Sequence, residues 1–189
     1  MVYECSTSEL PVLVREQKLL HAGDRVILSG TVYTARDAAH KRLTALMREQ
    51  GVDALPFPLR NAVIYYAGPT AAPPGRPIGA CGPTTSSRMD PYAPLLLDEG
   101  LLGMIGKGER SEAVCEAVSR NCAVYFCAVG GAGALAAARI TACEVIAYPD
   151  LGCESVKRLT LENFPVLVTI DNHGGNLFKS GRQQYQKIV

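Results

Sequence analysis

The chain opens its regular pattern at Arg25-Val26-Ile27-Leu28-Ser29-Gly30-Thr31-Val32, where branched apolar residues predict a β-strand. The period then changes. Ala39, Leu43, Leu46 and Met47 recur at helical spacing, so a helix is expected from Thr34 to Gln50. Thr34 followed by Asp37 resembles a capping box with Asp in place of Glu, and Gly51 is placed to stop the helix. Strands and helices continue to alternate. Asn61 to Ala67 reads as a strand, Pro91 to Asp98 as a helix, and Leu102 to Ile105 as a short strand. Ser111 to Arg120 reads as a helix with Val114, Cys115 and Val118 facing inward. Ala123 to Val129 is a buried strand, Gly133 to Ala138 a short helix, and Ala142 to Tyr148 a strand. Pro11 to Val14 reads as a lead-in strand. Gly68 to Gly82, rich in Pro, Gly and Ala, is a long loop of the kind that is functional or mobile in compact domains.

Beyond Pro149 the pattern predicts strands alone. Ser155 to Leu161, Pro165 to Ile170 and Gly175 to Phe178 form a meander, with Asp171-Asn172-His173-Gly174-Gly175 as its hairpin turn. Lys179 to Val189 is polar and is expected to fray. The fold class is therefore α/β with an antiparallel C-terminal portion, in a single domain over residues 1–189.

Composition narrows the function. Apolar residues make up 48% and charged residues 20%, which excludes a disordered chain. A net charge of +1 gives no reason to expect nucleic acid or an anionic membrane as partner. No apolar run approaches a bilayer-spanning length, and Met1 to Leu10 carries acidic residues rather than a basic-then-apolar leader, so a cytoplasmic location is expected. Seven cysteines show no C-x-x-C spacing, and the zinc-ribbon and ferredoxin patterns are absent. Cys122, Cys127 and Cys143 read as small core residues, while Cys81 borders the stretch of greatest chemical interest.

That stretch is Gly82-Pro83-Thr84-Thr85-Ser86-Ser87-Arg88-Met89-Asp90. Hydroxyl side chains, free helix N–H groups and a guanidinium one turn later would make an anion-binding device; the other reading is an ordinary capped helix start. Arg36 in a first helical turn opposes the helix dipole, which marks either a functional cation or a surface arginine paired with Asp37 or a distant carboxylate. His40 on the same helix reads as structural. With three histidines in the chain, no metal cluster assembles convincingly. Lys107 lies between two glycines after an apolar strand, as a ligand-facing cation or as a solvated lysine in a plain turn; the Walker A spacing is missing. Gly131-Ala132-Gly133-Ala134-Leu135-Ala136 with Asp150 mimics a dinucleotide fingerprint. The following helix is too short for that fold, so a close-packed turn is preferred. Asp24, Glu109 and Asp171 are acidic but sit in no partnered motif.

The Gly82-to-Tyr92 stretch (GPTTSSRMDPY) resembles the signature of the C-terminal domain of class I fumarases, which is a separate β subunit in two-chain fumarases and in L-tartrate dehydratase. Three further segments agree, in order: Thr34-Ala35-Arg36-Asp37-Ala38-Ala39-His40-Lys41, Gly106-Lys107-Gly108-Glu109-Arg110-Ser111, and Val129-Gly130-Gly131. The resemblance implies a swivelling β/β/α domain of layered mixed sheets with helices on one side. It implies a hydro-lyase that adds water reversibly to fumarate to give L-malate, active only with an α subunit in an α2β2 heterotetramer. A [4Fe–4S] cluster would be held by that partner subunit and not by this chain. Arg36, Arg88 and Lys107 would clamp the carboxylates of a small dicarboxylate, Thr85 and Ser86 would donate hydrogen bonds, and Thr84 would be the catalytic base. Arg88-Met89-Asp90 and Lys107-Gly108-Glu109-Arg110-Ser111 look more like fumarases than tartrate dehydratases. L-Tartrate dehydratase, mesaconate hydratase and a non-catalytic dicarboxylate-binding module remain the alternatives.

Overall fold

The computed structural model describes residues 1–186. Its strands are β1 (Val2–Ser6), β2 (Arg25–Thr34), β3 (Val63–Tyr65), β4 (Gly103–Gly106), β5 (Val124–Cys127), β6 (Ile140–Ala147) and β7 (Val156–Ile170). Its α-helices are α1 (Asp37–Gln50), α2 (Ala93–Asp98), α3 (Glu112–Arg120), α4 (Gly133–Ala137) and α5 (Leu177–Tyr185). Strands β1 to β5 are parallel neighbours in chain order. Helices α1, α2 and α3 fill the connections between β2 and β5, as parallel strands require a crossover. Strand β7 runs antiparallel and pairs with β2 on one side and β5 on the other, while β6 pairs with β7. The pairings β2–β3–β4–β5–β7–β2 therefore close a ring.

Residue alternation along the parallel strands divides two cores. In β3, Val63 and Tyr65 face the ring interior with Val26, Leu28, Phe126, Leu159, Phe164 and Val168. Ile64 and the following Tyr66 face outward with Met104 and Tyr125. There they meet Ala39, Leu43 and Met47 of α1, Leu96 and Leu97 of α2, and Val114 and Val118 of α3. Burial on both faces explains why these short strands read as continuous apolar runs. Each such side chain contributes about 1.5–3 kcal/mol. The fold is thus mixed α/β, with the antiparallel portion at the C-terminal end of the chain.

Several local expectations are corrected. Pro11 to Val14 is not a strand; Val12–Glu16 is a π-helical turn. Thr34 does not cap α1. It is the last residue of β2, and its Oγ1 donates to Ser155 O (3.2 Å) while accepting from Lys157 N (3.0 Å). The helix begins after Arg36, whose backbone is extended and whose side chain makes no cap bond. The C-terminal meander is one long strand, preceded by a 3₁₀ turn at Pro149–Glu154. Asn163 takes a left-handed conformation (φ 51°) and gives its N–H to Ser29 Oγ, so the strand passes through it. Pro165 lies opposite Ile27 at a point where β7 has left β6 and not yet met β5, where its missing N–H breaks no ladder.

The Asp171 turn closes a single antiparallel bridge, Ile170 to Asn176, and the chain then enters α5 instead of a further strand, with Asn176 Oδ1 accepting from Phe178 N and Lys179 N as the N-cap. Residues 177–185, read from sequence as partly a polar tail, are helical; 187–189 lie outside the described residues. Cys122, Cys127 and Cys143 are only partly buried, whereas Cys5 and Cys81 are in the core. Among the described residues, no helix is long and apolar enough to cross a membrane.

Candidate functional site

The carboxyl ends of β2, β3, β4 and β5 share one rim of the ring, and each leads into a segment that carries a residue singled out from the sequence. Two residues past β2 comes Arg36, one past β4 comes Lys107, and past β5 comes the Gly130-Gly131 turn. Residues 83–89 form a strap across this rim. Pro83 bridges Ala67 beyond β3, Thr84 N donates to Tyr66 O (2.7 Å), Thr85 bridges Lys107, and Ser86 N donates to Lys107 O (2.9 Å). A Cβ on Gly106 would overlap Ser86 Oγ, so only glycine lets the strap lie this close.

These bonds narrow the expectation of free helix N–H groups. The N–H groups of Thr84 and Ser86 are already occupied, and the helical part, Ser86–Met89, is a single 3₁₀ turn. The strap also presents side chains: Thr84 half-buried, Thr85 exposed, and Arg88 half exposed.

The cations differ in how they are held. Arg36 does not pair with Asp37. Its Nη2 lies 3.2 Å from Glu154 Oε1, and its other side packs on Gly68, where a Cβ would crowd the guanidinium. Arg88 instead takes Asp37, the first residue of α1. Lys107 runs its stem over Gly130 and has no ion-pair partner among the described residues. Asp150, the candidate ribose carboxylate, is engaged by both Nη atoms of Arg42 (2.9 and 2.5 Å). Gly131-to-Ala136 is a close-packed turn, with Gly133 O accepting from Cys81 N and Gly133 lying against Gly82. Helix α4 is too short for a dinucleotide crossover.

Beneath the strap lies a polar layer that sequence reasoning missed. Tyr125 OH lies 2.8 Å from both Ser86 Oγ and Gly108 O. The carbonyl can only accept, so the one phenolic proton goes to Gly108 and Ser86 gives its proton to the Tyr125 oxygen. Ser86 Oγ also accepts from Lys107 N (3.0 Å), and the residue is fully buried. The expectation that Ser86 donates to substrate is therefore corrected: it has no proton left to give, and it anchors the strap instead.

Asp90 is fixed by Arg110 Nε and Ser111 N, both at 2.6 Å. The buried Arg110 guanidinium stacks over Tyr66 and Tyr125, with its Cζ 5.3 and 4.9 Å from the ring centres. His40 Nδ1 donates to Arg36 O (2.9 Å), and burial pushes its pKa down to about 4, so the ring is neutral. Arg110 and Ser111 stand within the Gly106-to-Ser111 motif, but nothing in the spacing shows which carboxylate they hold.

No set of three or more His, Cys, Asp or Glu among the described residues is arranged to hold a metal ion. Burial also pushes the Cys5 thiol up to about 11 and the Cys81 thiol up to about 12. An apolar cleft of about 550 Å³, lined by Ala128, Val129, Leu135, Ala136, Phe164 and Pro165, opens beside the β5 turn and contains none of the three candidate cations.

Residues 8–181 match the family model described as Fumarase C-terminus. The chain is 39% identical over 157 residues to the anaerobic class I fumarate hydratase of Escherichia coli K12, covering 82% of this chain and 28% of that protein. It is 37% identical over 172 residues to the mitochondrial fumarate hydratase 1 of Leishmania major, covering 90% and 31%. A putative L(+)-tartrate dehydratase subunit beta of Methanocaldococcus jannaschii is 32% identical over 181 residues, covering 92% of each chain. The chain thus spans under a third of the length of the two fumarase relatives but nearly all of the subunit-beta relative.

Proposed function

The chain belongs to the family of fumarase C-terminal domains, and from that premise we propose that it is the β subunit of a two-chain class I fumarate hydratase acting in the cytoplasm. The observation that supports this reading is the rim itself: Arg36, Arg88, Lys107 and Thr84 all stand on the strap or on turns at one end of the parallel strands. A dicarboxylate needs a cation at each end, and guanidinium binds carboxylate bidentately. Thr85 is exposed on the strap and can donate to the same ligand.

Thr84 is assigned the proton at the carbon next to a carboxylate. A threonine hydroxyl is a weak base, and neighbouring cations favour its ionised form. The half-exposed Arg88 leaves this surface wet, so an α subunit is needed to cover it and exclude water. That companion, in an α2β2 assembly, is also assigned the [4Fe–4S] cluster. Bound there, the cluster supplies a Lewis acid toward the substrate hydroxyl. A swivelling β/β/α arrangement, with the ring as two sheet layers and α1 to α3 as the third, accords with the two cores.

L-Tartrate is the second reading, favoured by the near end-to-end match to a chain named as a tartrate dehydratase subunit beta. Mesaconate shares the dicarboxylate chemistry. The test is co-expression with the cluster-binding chain, followed by kcat/KM for fumarate, L-tartrate and mesaconate. Fumarate is expected to be preferred. Arg36→Ala, Arg88→Ala and Lys107→Ala should each cost about 2–5 kcal/mol in kcat/KM. Thr84→Val should lower kcat about 10²-fold or more, with exchange of the malate C3 proton into deuterated solvent falling in step. Wild-type exchange in Thr84→Val would move the base to the companion chain.

A further inference from the structure

Arg36 is confined from several sides. Its carbonyl is held by His40 Nδ1, its guanidinium lies against Gly68, and its Nη2 meets Glu154. The two partners of that ion pair are mostly buried, with side-chain exposures of 19% and 23%. The second carboxylate oxygen of Glu154 accepts from Ala38 N (3.4 Å) in the first turn of α1. Glu154 thus spans the guanidinium and the helix that follows it.

Glu154 closes the 3₁₀ turn at Pro149–Glu154, which has two left-handed positions at or beside it, Tyr148 (φ 55°) and Gly152 (φ 58°). The turn is cross-linked by Lys157. The Nζ of Lys157 lies within hydrogen-bond distance of four oxygens, Gly152 O (3.2 Å), Cys153 O (3.1 Å), Ser155 O (3.2 Å) and Ser155 Oγ (2.6 Å), which share its three N–H donors. The residue is buried and has no carboxylate partner among the described residues. A buried ammonium is costly unless hydrogen-bonded, and these carbonyls supply the compensation. Arg42 fastens the other end of the turn to α1 through Asp150.

We infer that Glu154 is a positioning residue for substrate binding: held by a turn that Lys157 locks, it aims the Arg36 guanidinium at the ligand's carboxylate. This rests on the reading of Arg36 as part of the clamp. Glu154 touches Arg36 and the start of α1, so its removal should loosen the ligand's grip without touching the proton-transfer step.

The experiment uses the enzyme assembled with its companion chain and succinate, a saturated dicarboxylate that cannot be hydrated, as the calorimetric probe. Glu154→Gln is expected to weaken succinate about tenfold, the share of one lost charge-assisted contact. KM for fumarate should rise in parallel, while kcat stays within about twofold and the melting temperature barely moves. Glu154→Asp, which keeps the charge, should recover part of the loss. In an Arg36→Ala background, adding Glu154→Gln should change nothing further, because the two act as one unit. Unchanged or tighter succinate binding in Glu154→Gln, where Arg36→Ala weakens it, would overturn the inference and leave the clamp standing. Normal succinate binding in Arg36→Ala would remove the clamp itself, and the inference with it.

Discussion

The two faces of strands β3, β4 and β5 are built from the same few residues, yet they behave as different materials. The inner face is aliphatic and aromatic: Val63, Ile105, Val124 and Phe126 pack on Leu159, Phe164 and Val168. The outer face buries Ile64 and Met104 too, but among them lie Tyr66, Tyr125, His40 and Arg110. Nearly every anchor of the candidate site comes from that outer layer. His40 holds Arg36, Tyr66 O takes Thr84 N, Tyr125 ties Ser86 to Gly108, and Arg110 fixes Asp90. One face holds the ring closed, and the other transmits its geometry to the rim. The hydrophobic term supplies stability without direction, whereas hydrogen bonds of fixed length supply direction at small net gain.

The comparison is broken most severely from the inside. Phe126→Ala should cost about 3–5 kcal/mol in a denaturant melt, with kcat and KM of the molecules that remain folded unchanged. An altered KM at full folding would show that the inner face also tunes the site.

Acid attacks the outer face next. Burial lowers the His40 pKa from 6.5 to about 4. Between those values the unfolded chain binds a proton that the folded chain refuses, so stability rises with pH across the window and falls on acidification. The full loss by pH 4 is about 3 kcal/mol. Denaturant midpoints should decline below pH 6.5 in the wild type and decline less in His40→Gln; equal slopes would remove His40 as the cause.

The smallest stability effect should have a disproportionate functional one. Tyr125→Phe removes a hydroxyl that bridges the strap to the Gly108 turn and costs about 1–2 kcal/mol. Because Ser86 and Lys107 both hang on that bridge, kcat/KM should drop more than the melt predicts. Loss in proportion to stability alone would make the outer face mere packing.

Much of this was legible beforehand, and the failures share a cause. Strand β2, helix α1 and helix α3 were readable because one face of each is apolar at the right period. Strand β7 was divided in two because Asn163 and Pro165 are local breakers; their tolerance depends on Ser29 and on a gap between neighbouring strands, neither of which is local. In the site, the hydroxyl strap, Arg36 and Lys107 were marked by motif. Their partners were not: Glu154 lies far along the chain from Arg36, and Asp37, which stands next to Arg36, serves Arg88. Ser86 was named for the wrong task because a serine's donors and acceptors can be counted only once its neighbours are known.

The ring has a cost in time. Strand β2 is an early part of the chain, yet Arg25 waits for Leu167 and Thr34 for Lys157 before its second edge is covered, and β5 waits for the same strand. A ribosome adding about 5–20 residues per second exposes those edges for several seconds before β7 emerges. Contacts so distant in sequence also slow the search for the native state. Until closure, the nascent chain carries two unpaired parallel edges, the feature that invites strand pairing between molecules. Strand β7 is therefore the one that ends this exposure to aggregation, and truncation ahead of Val156 would leave both edges open for good.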